Sequence, residues 1–245
     1  MESFSQLMED IWIHQNKINI PREDIVLVEI GAFDGASYSN TLMLEKALGC
    51  KPAVLVEPSP ERVFHIRSRR PNSQIFQIAI SSEFGTATFA GNTSVSGIVD
   101  MMTESYIDKW KIDTYAQYNV LTIPMWSLQK VLNENYIDFL SIDVQGAEIN
   151  VLKSTDFSQP IGNIAIELEG HQPESDEECR NILQSNGFKF CAKLLISEIW
   201  TNPSYPRANS LYDIEKKIDF STYEIPGYAQ KHFANLSSAF PESNI

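Results

Sequence analysis

Residues Ile25 to Gly35 read IVLVEIGAFDG, and no other part of the chain constrains the fold as tightly. Four apolar residues, Ile25, Val26, Leu27 and Val28, lead to an acid, Glu29, and then to a loop bounded by Gly31 and Gly35. A continuous apolar run of this length reads as a strand buried on both faces, the habit of parallel sheets. Ser39, Asn40 and Thr41 then open a helix. A second apolar run, Ala53 to Val56, ends in Glu57, 22 residues past Gly35. A nucleotide-binding β-α-β unit places its ribose-binding carboxylate at that spacing.

The loop reads G-x-x-x-G and lacks the G-x-G-x-x-G spacing of a pyrophosphate turn, and Phe33 sits where a second glycine would admit a diphosphate. A carboxylate at the strand end repels pyrophosphate. It suits a ligand with an ammonium group, such as the methionine half of S-adenosylmethionine. Two rival readings follow. One is a nicotinamide-dependent reductase on a similar sheet, which the loop spacing and Glu29 disfavour. The other is a catalytically silent module that binds a nucleotide or partner on the same fold.

The chain has 245 residues, enough for one large α/β domain, with 43% apolar and 21% charged residues. Its net charge is −13 with 19 basic residues, and the one basic cluster is Arg62, Arg67, Arg69 and Arg70. A nucleic-acid partner needs a basic footprint and is not expected. Cys50, Cys179 and Cys191 form no C-x-x-C, so neither a disulfide scaffold nor a zinc knuckle is expected. The first ten residues, MESFSQLMED, lack the apolar core of a signal peptide. No run reaches the roughly 18 apolar residues of a membrane span. These features point to a cytoplasmic protein, monomer or homodimer.

Strand and helix patterns alternate along the chain. Residues 3–17 have helical apolar spacing and would cover a sheet edge or a cofactor pocket. Strands are expected at 25–30, 53–57, 74–80, 86–90, 121–125, 137–143, 163–169, 188–194 and 196–201. Helices are expected from Pro60 to near Pro71, over 103–118, from a Ser127 cap, over 147–153 and over 174–185; 91–100 reads as a loop. The alternation predicts a mostly parallel sheet with helices on both faces. The last two strands, joined without a helix, predict an antiparallel edge strand. Residues 203–245 hold Pro203, Pro206, Pro226 and Pro241 and several tyrosines. They read as a tail packed on the domain, with a short helix near 229–236. The expected organisation is an N-terminal helical segment (1–24), a main domain (25–202) and this tail.

Four stretches carry a family resemblance: VEIGAFDG at 28–35, VEPSP at 56–60, AIS at 79–81 and DFLSIDVQGAEINVLK at 138–153. They resemble the FkbM family of S-adenosylmethionine-dependent methyltransferases over residues 25 to 200. The most specific element runs from Ile142 to Glu148, followed by Val151, Leu152 and Lys153. The family usually has Glu where this chain has Gln145. The resemblance implies the class I methyltransferase fold, a Rossmann-like seven-stranded sheet with one antiparallel strand. It implies methylation of a hydroxyl on a sugar, glycan or secondary metabolite. It implies that Glu29, Gly31, Asp34 and Gly35 form the methionine-side loop and that Glu57 takes the ribose hydroxyls. Pro58, Ala79 and Ile80 would then line the adenine pocket, and Asp143 would lie beside the reacting sulfonium.

Methyl transfer to a hydroxyl needs in-line geometry and a route for the proton. Asp143, Glu167, Glu169 and His171 cluster where strands should end. Glu167 and Glu169 would share a strand face. Asp143 with either glutamate could hold Mg²⁺ or Mn²⁺ through oxygen ligands; alternatively His171 takes the proton directly. The metal-free route is preferred, because no two-acid metal motif lies close to Asp143. Asn202-Pro203-Ser204-Tyr205 resembles the N-P-P-Y tetrapeptide of amino-methylating enzymes. It lies after the last strand, not the fourth, and carries no such assignment.

Overall fold

The computed structural model describes residues 1–16, 24–91, 93–207, 223, 224 and 227. In chain order, α1 (Glu9–Asn16) precedes β1 (Leu27–Ile30), α2 (Leu42–Leu48), β2 (Val54–Val56), α3 (Pro60–Arg69) and β3 (Gln74–Phe76). Three short strands follow, β4 (Ala79–Ile80), β5 (Gly85–Ala90) and β6 (Gly97–Ile98), then a 3₁₀ turn (Val99–Met101) and α4 (Glu104–Trp110). Then come β7 (Gln117–Ile123), α5 (Met125–Leu132), β8 (Ile137–Ile142), α6 (Glu148–Lys153) and β9 (Ile161–Glu167). The described elements close with α7 (Pro173–Ser185), β10 (Lys189–Leu194) and β11 (Ser197–Thr201).

The main sheet has seven strands in the order β10-β11-β9-β8-β1-β2-β3. Leu27 pairs with Phe139 and Val28 with Val54, both in parallel register. The chain starts at the centre with β1, builds out to β3 and returns to lay β8 on the other side. The strand order therefore reverses between β1 and β8, where open α/β sheets bind ligands. Alternate residues serve opposite faces. Ile25 and Leu27 join Ile11, Met43 and Phe139 on one side, while Val26, Val28 and Ile30 join Leu140, Val151 and Leu183 on the other. Both faces are covered, as the unbroken apolar run predicts.

The seven strands and single antiparallel member match the expected fold, with several differences in detail. The antiparallel strand is not the edge. β11 inserts between β9 and β10 and is antiparallel to both. It returns along β10, which left α7 in the parallel sense. The run expected as one strand over 74–80 splits: β3 pairs with β2, whereas β4 pairs with β7 in a second sheet of order β4-β7-β5-β6. That sheet contributes to the lining of the main cavity; strands were expected at 86–90 and 121–125, but not their pairing into a sheet of their own, and β6 lies where a loop was expected. The helix expected over 103–118 stops at Trp110, where Lys111 turns left-handed at φ 52°. Helix α5 starts at Met125 behind Pro124, so Ser127 lies inside it rather than capping it. Glu169 lies past the end of β9, so strand alternation does not set its direction. Helix α1 begins only at Glu9, because Asp10 accepts hydrogen bonds from Ser3, Phe4 and Ser5 and holds that stretch extended. The helix expected near 229–236 and the boundary at 24/25 lie on or beside residues outside the described ones.

Candidate active site

The loops leaving β1, β2, β8 and β9 converge on a cavity of about 430 Å³, within the roughly 300–1,000 Å³ of small-molecule sites. Its floor is the first glycine loop. Gly31 and Ala32 donate their amides to the Val56 carbonyl at 2.9 and 3.0 Å. Gly31 has φ +89°, and a Cβ there would meet the Asp143 carbonyl oxygen at 1.8 Å. No side chain fits, because the ends of β1 and β8 close on each other at this point.

Glu57 follows β2 at one end of the cavity and is 6% exposed. Its two oxygens accept the Phe33 and Ser59 amides at 3.0 and 2.9 Å. A carboxylate has about four acceptor positions, so capacity remains for hydroxyl donors. Burial pushes its pKa up to about 7 against those two amide bonds. Pro58, Ile78, Ala79, Ile80 and Phe89 form an apolar slot beside it.

Asp143, after β8, lines the middle of the cavity with Gln145, Glu167, Glu169 and His171. Burial raises the Asp143 pKa. Glu167 is raised well above the usual range, first by burial and then by Asp143 beside it, with which it shares a hydrogen bond. Like charges this close cannot both ionise cheaply, and the hydrogen bond between them favours the proton on Glu167. The Gln145 amide nitrogen donates to Asp143 and, at 3.3 Å, to Glu167, and its oxygen accepts from the Tyr106 hydroxyl. Gln145 is left-handed at φ 58° and Gly146 has φ +101°. Glu148 straps this turn down by accepting the Val144 and Gly146 amides, and burial pushes its pKa up to about 8. Glu169 bonds His171 Nε2 at 2.8 Å, and Lys109 lies 3.5 Å from Glu169 and 3.1 Å from that ring nitrogen. Trp110, 43% exposed, also lines the cavity.

Of the residues singled out in the sequence, Gly31, Glu57, Pro58, Ala79, Ile80, Asp143, Glu167, Glu169 and His171 come together here. Glu29, Asp34 and Gly35 do not. Glu29 points under α2 and accepts from Ser39, Asn40, Thr41 and the buried Arg70. Its charge fixes the loop from behind and is not free for a ligand's ammonium. Asp34 accepts the Ala36 and Ser37 amides and pairs with Arg69. Burial raises its pKa, but these partners outweigh that and leave it lowered. Gly35 turns at φ +80° against Ile66. Among the described residues no cluster of three His, Cys, Asp or Glu side chains is arranged to hold a metal ion. The Asp143 and Glu167 carboxyls proposed as Mg²⁺ or Mn²⁺ ligands are bonded to each other and to Gln145. Tyr106, Lys109, Trp110 and Gln6 also reach the site or its rim; the sequence gives no motif for them.

A sheet of this order with a carboxylate after its second strand and a switch-point cavity defines a Rossmann-like class I methyltransferase domain. The model of the methyltransferase FkbM domain matches residues 29–190, and the chain belongs to that family. No curated protein matches the sequence significantly. The chain is similar to solved structures at low identity. With a methyltransferase FkbM from Methylobacillus flagellatus KT the identity is 10% and the TM-score 0.46, over 74% of this chain and 44% of that one. This chain thus spans less than half the length of that protein. With a precorrin-6y C5,15-methyltransferase from Geobacter metallireducens GS-15 the identity is 11% and the TM-score 0.39, over 74% and 70% of the two chains. With a TehB-like SAM-dependent methyltransferase from Corynebacterium glutamicum they are 8% and 0.40, over 79% and 87%. Membership rests on the sequence match, not on these scores. It places a methyltransferase FkbM domain over residues 29–190 and implies S-adenosylmethionine. The cavity fits that group: Glu57 keeps acceptor capacity beside an apolar slot, and the far end is polar. No helix among the described residues is long and apolar enough to cross a membrane.

Proposed function

We propose that the chain is an S-adenosylmethionine-dependent O-methyltransferase acting on a hydroxyl of a sugar, glycan or secondary metabolite. The observation that carries this reading is the layout of one continuous cavity. A ribose-type carboxylate, Glu57, stands at one end, and a proton-handling cluster of Asp143, Glu167, Glu169 and His171 stands further along the strand ends. S-adenosylmethionine supplies an electrophilic methyl group when bound. The chain's residues do the rest. Glu57 and the slot of Pro58, Ala79 and Ile80 hold the adenosyl half. Asp143, beside the reacting centre, orients the substrates there by its charge and leaves the acceptor's one hydroxyl hydrogen to His171. His171, oriented by Glu169, takes the hydroxyl proton as the C–O bond forms and the C–S bond breaks. Trp110 gives a sugar ring an apolar face at the rim. Residues 25–202 form the catalytic domain, with residues 1–16 and 203–207 packed on it; most of the rest of the expected tail lies outside the described residues.

The test is turnover with S-adenosylmethionine on a panel of mono- and oligosaccharides, glycosides and hydroxylated metabolites, read as S-adenosylhomocysteine formed and methyl ether gained. Asp143→Asn should lower turnover far more than cofactor affinity, and His171→Ala should cost about a hundredfold. Methylation confined to nitrogen, or turnover surviving both substitutions, would displace the reading.

A further inference from the structure

The withdrawal of Glu29 from the cavity leaves a vacancy in the expected chemistry. A bound S-adenosyl ligand is a zwitterion at its amino-acid end. Carboxyls for its ammonium abound, since Asp143, Glu167 and Glu169 all line the cavity. Cationic donors for its carboxylate are few. Lys109 is bound to Glu169, and Arg62 stacks on Phe33 at 4.5 Å in the loop whose amide bonds Glu57.

We propose that Gln6, in the segment before α1, binds the amino-acid end of the S-adenosyl ligand through its side-chain amide. Gln6 lines the main cavity and also a small recess shared with Tyr38, Asp143, Glu167 and Ser197. Along the sheet this is the β8-β9-β11 side, away from Glu57 after β2. A ligand with its ribose on Glu57 therefore directs its amino-acid end towards Gln6. Among the described residues the Gln6 amide has no hydrogen-bond partner. Its neighbours are locked: the Ser5 hydroxyl donates to Asp10 at 2.7 Å, and the Leu7 amide donates to Glu9 at 2.9 Å. Glu9 in turn accepts the Ser197 hydroxyl at 2.6 Å, which ties the segment to β11. Ser5 also bridges Tyr38, another cavity residue. Glu224 braces the segment: its carbonyl accepts the Ser3 amide at 3.0 Å and its amide donates to the Met1 carbonyl at 2.7 Å. An unpaired amide on a fixed backbone beside a cavity is organised for a ligand before it arrives. A neutral donor also suits this end, where a further cation would be drawn to the three acids.

This inference rests on the S-adenosyl reading of the cavity, and a pair of probes separates the two. S-adenosylhomocysteine carries the amino-acid end; 5′-methylthioadenosine lacks it and keeps the ribose and adenine. Calorimetry on the whole chain should show Gln6→Ala weakening S-adenosylhomocysteine about tenfold or more, with 5′-methylthioadenosine within twofold of the unaltered protein. Gln6→Glu should weaken the first probe further by charge repulsion. Glu57→Ala should weaken both probes. Equal losses of both probes on Gln6→Ala, or no loss of S-adenosylhomocysteine, would overturn the assignment. Failure of the unaltered protein to bind either probe would instead remove the S-adenosyl reading itself.

Discussion

Glu57 offers the sharpest test of the cofactor half, because its charge is poised near neutrality. Its two oxygens already accept backbone amides at 3.0 and 2.9 Å. Two ribose hydroxyls would add bonds to the ionised form only. Each hydrogen bond to a charged group is worth roughly 1.5–3 kcal/mol. Glu57→Gln forces an amide N–H against one backbone N–H and weakens the hydroxyl contacts. S-adenosylhomocysteine should then bind about ten- to a hundredfold more weakly at pH 8. The pH dependence is more specific. Burial lifts the carboxyl to about 7 in the free protein, and hydroxyl donors pull it back down in the complex. Binding therefore releases a proton when the free group is protonated. Affinity should be full above pH 7 and fall about tenfold per unit below it. Titration calorimetry from pH 8.5 to 5.5, in buffers of different ionisation enthalpy, reads both affinity and proton release. The Gln variant should show neither slope nor release from this group. An unaltered protein whose affinity is flat across pH 7, or a variant that binds as tightly as its parent, would refute the assignment.

Stability should fall as pH rises through 7 to 8. Glu9, Glu57 and Glu148 are lifted by burial to about 7, 7 and 8 from 4.5, so the folded state holds protons that the unfolded chain has released. That contribution is full below about 4.5 and lost above 8; a melting temperature at pH 8.5 equal to or above that at pH 6 would contradict it. Gly31→Ala should damage folding as well as binding, because its Cβ would meet the Asp143 carbonyl at 1.8 Å; circular dichroism and melting should both report the loss, and a native melting curve would disprove the packing argument. Removal of the chain from Pro203 onward should cost stability apart from any effect on the site. Asp138 is fully buried and accepts from Tyr205 at 2.6 Å and Arg207 at 3.2 Å, and stripping a buried charge of partners costs about 3–5 kcal/mol. An unshifted denaturation midpoint would show that the tail is not an anchor.

What could be read from the sequence, and what could not, follows from where each residue's partners lie along the chain. The central strands were legible because burial on both faces demands strongly apolar stretches: Ile25 to Val28 is an unbroken one, and Ile137–Ile142 is apolar but for Asp138 and Ser141. Glu57 was legible because a strand end and a helix start fix its place within a few residues. Glu29 was misjudged for the converse reason. Its strand-end position is the same in kind as that of Glu57, yet its direction depends on Arg70, 41 residues away, whose guanidinium reaches it from the end of α3. The second sheet escaped notice because β4 and β6 are two residues long and carry no periodicity. The same limit decides what is known of the acceptor. The end of the cavity we propose for it is lined by Lys109 and Trp110 on α4 and His171 before α7, with Tyr106 on α4 in the recess beside it. None of these lies in a patterned strand-to-loop step. The donor half of such a site is written in motifs because one ligand must fit one β-α-β frame. The acceptor half is assembled from segments that share nothing but proximity, so its specificity has to be measured on those side chains.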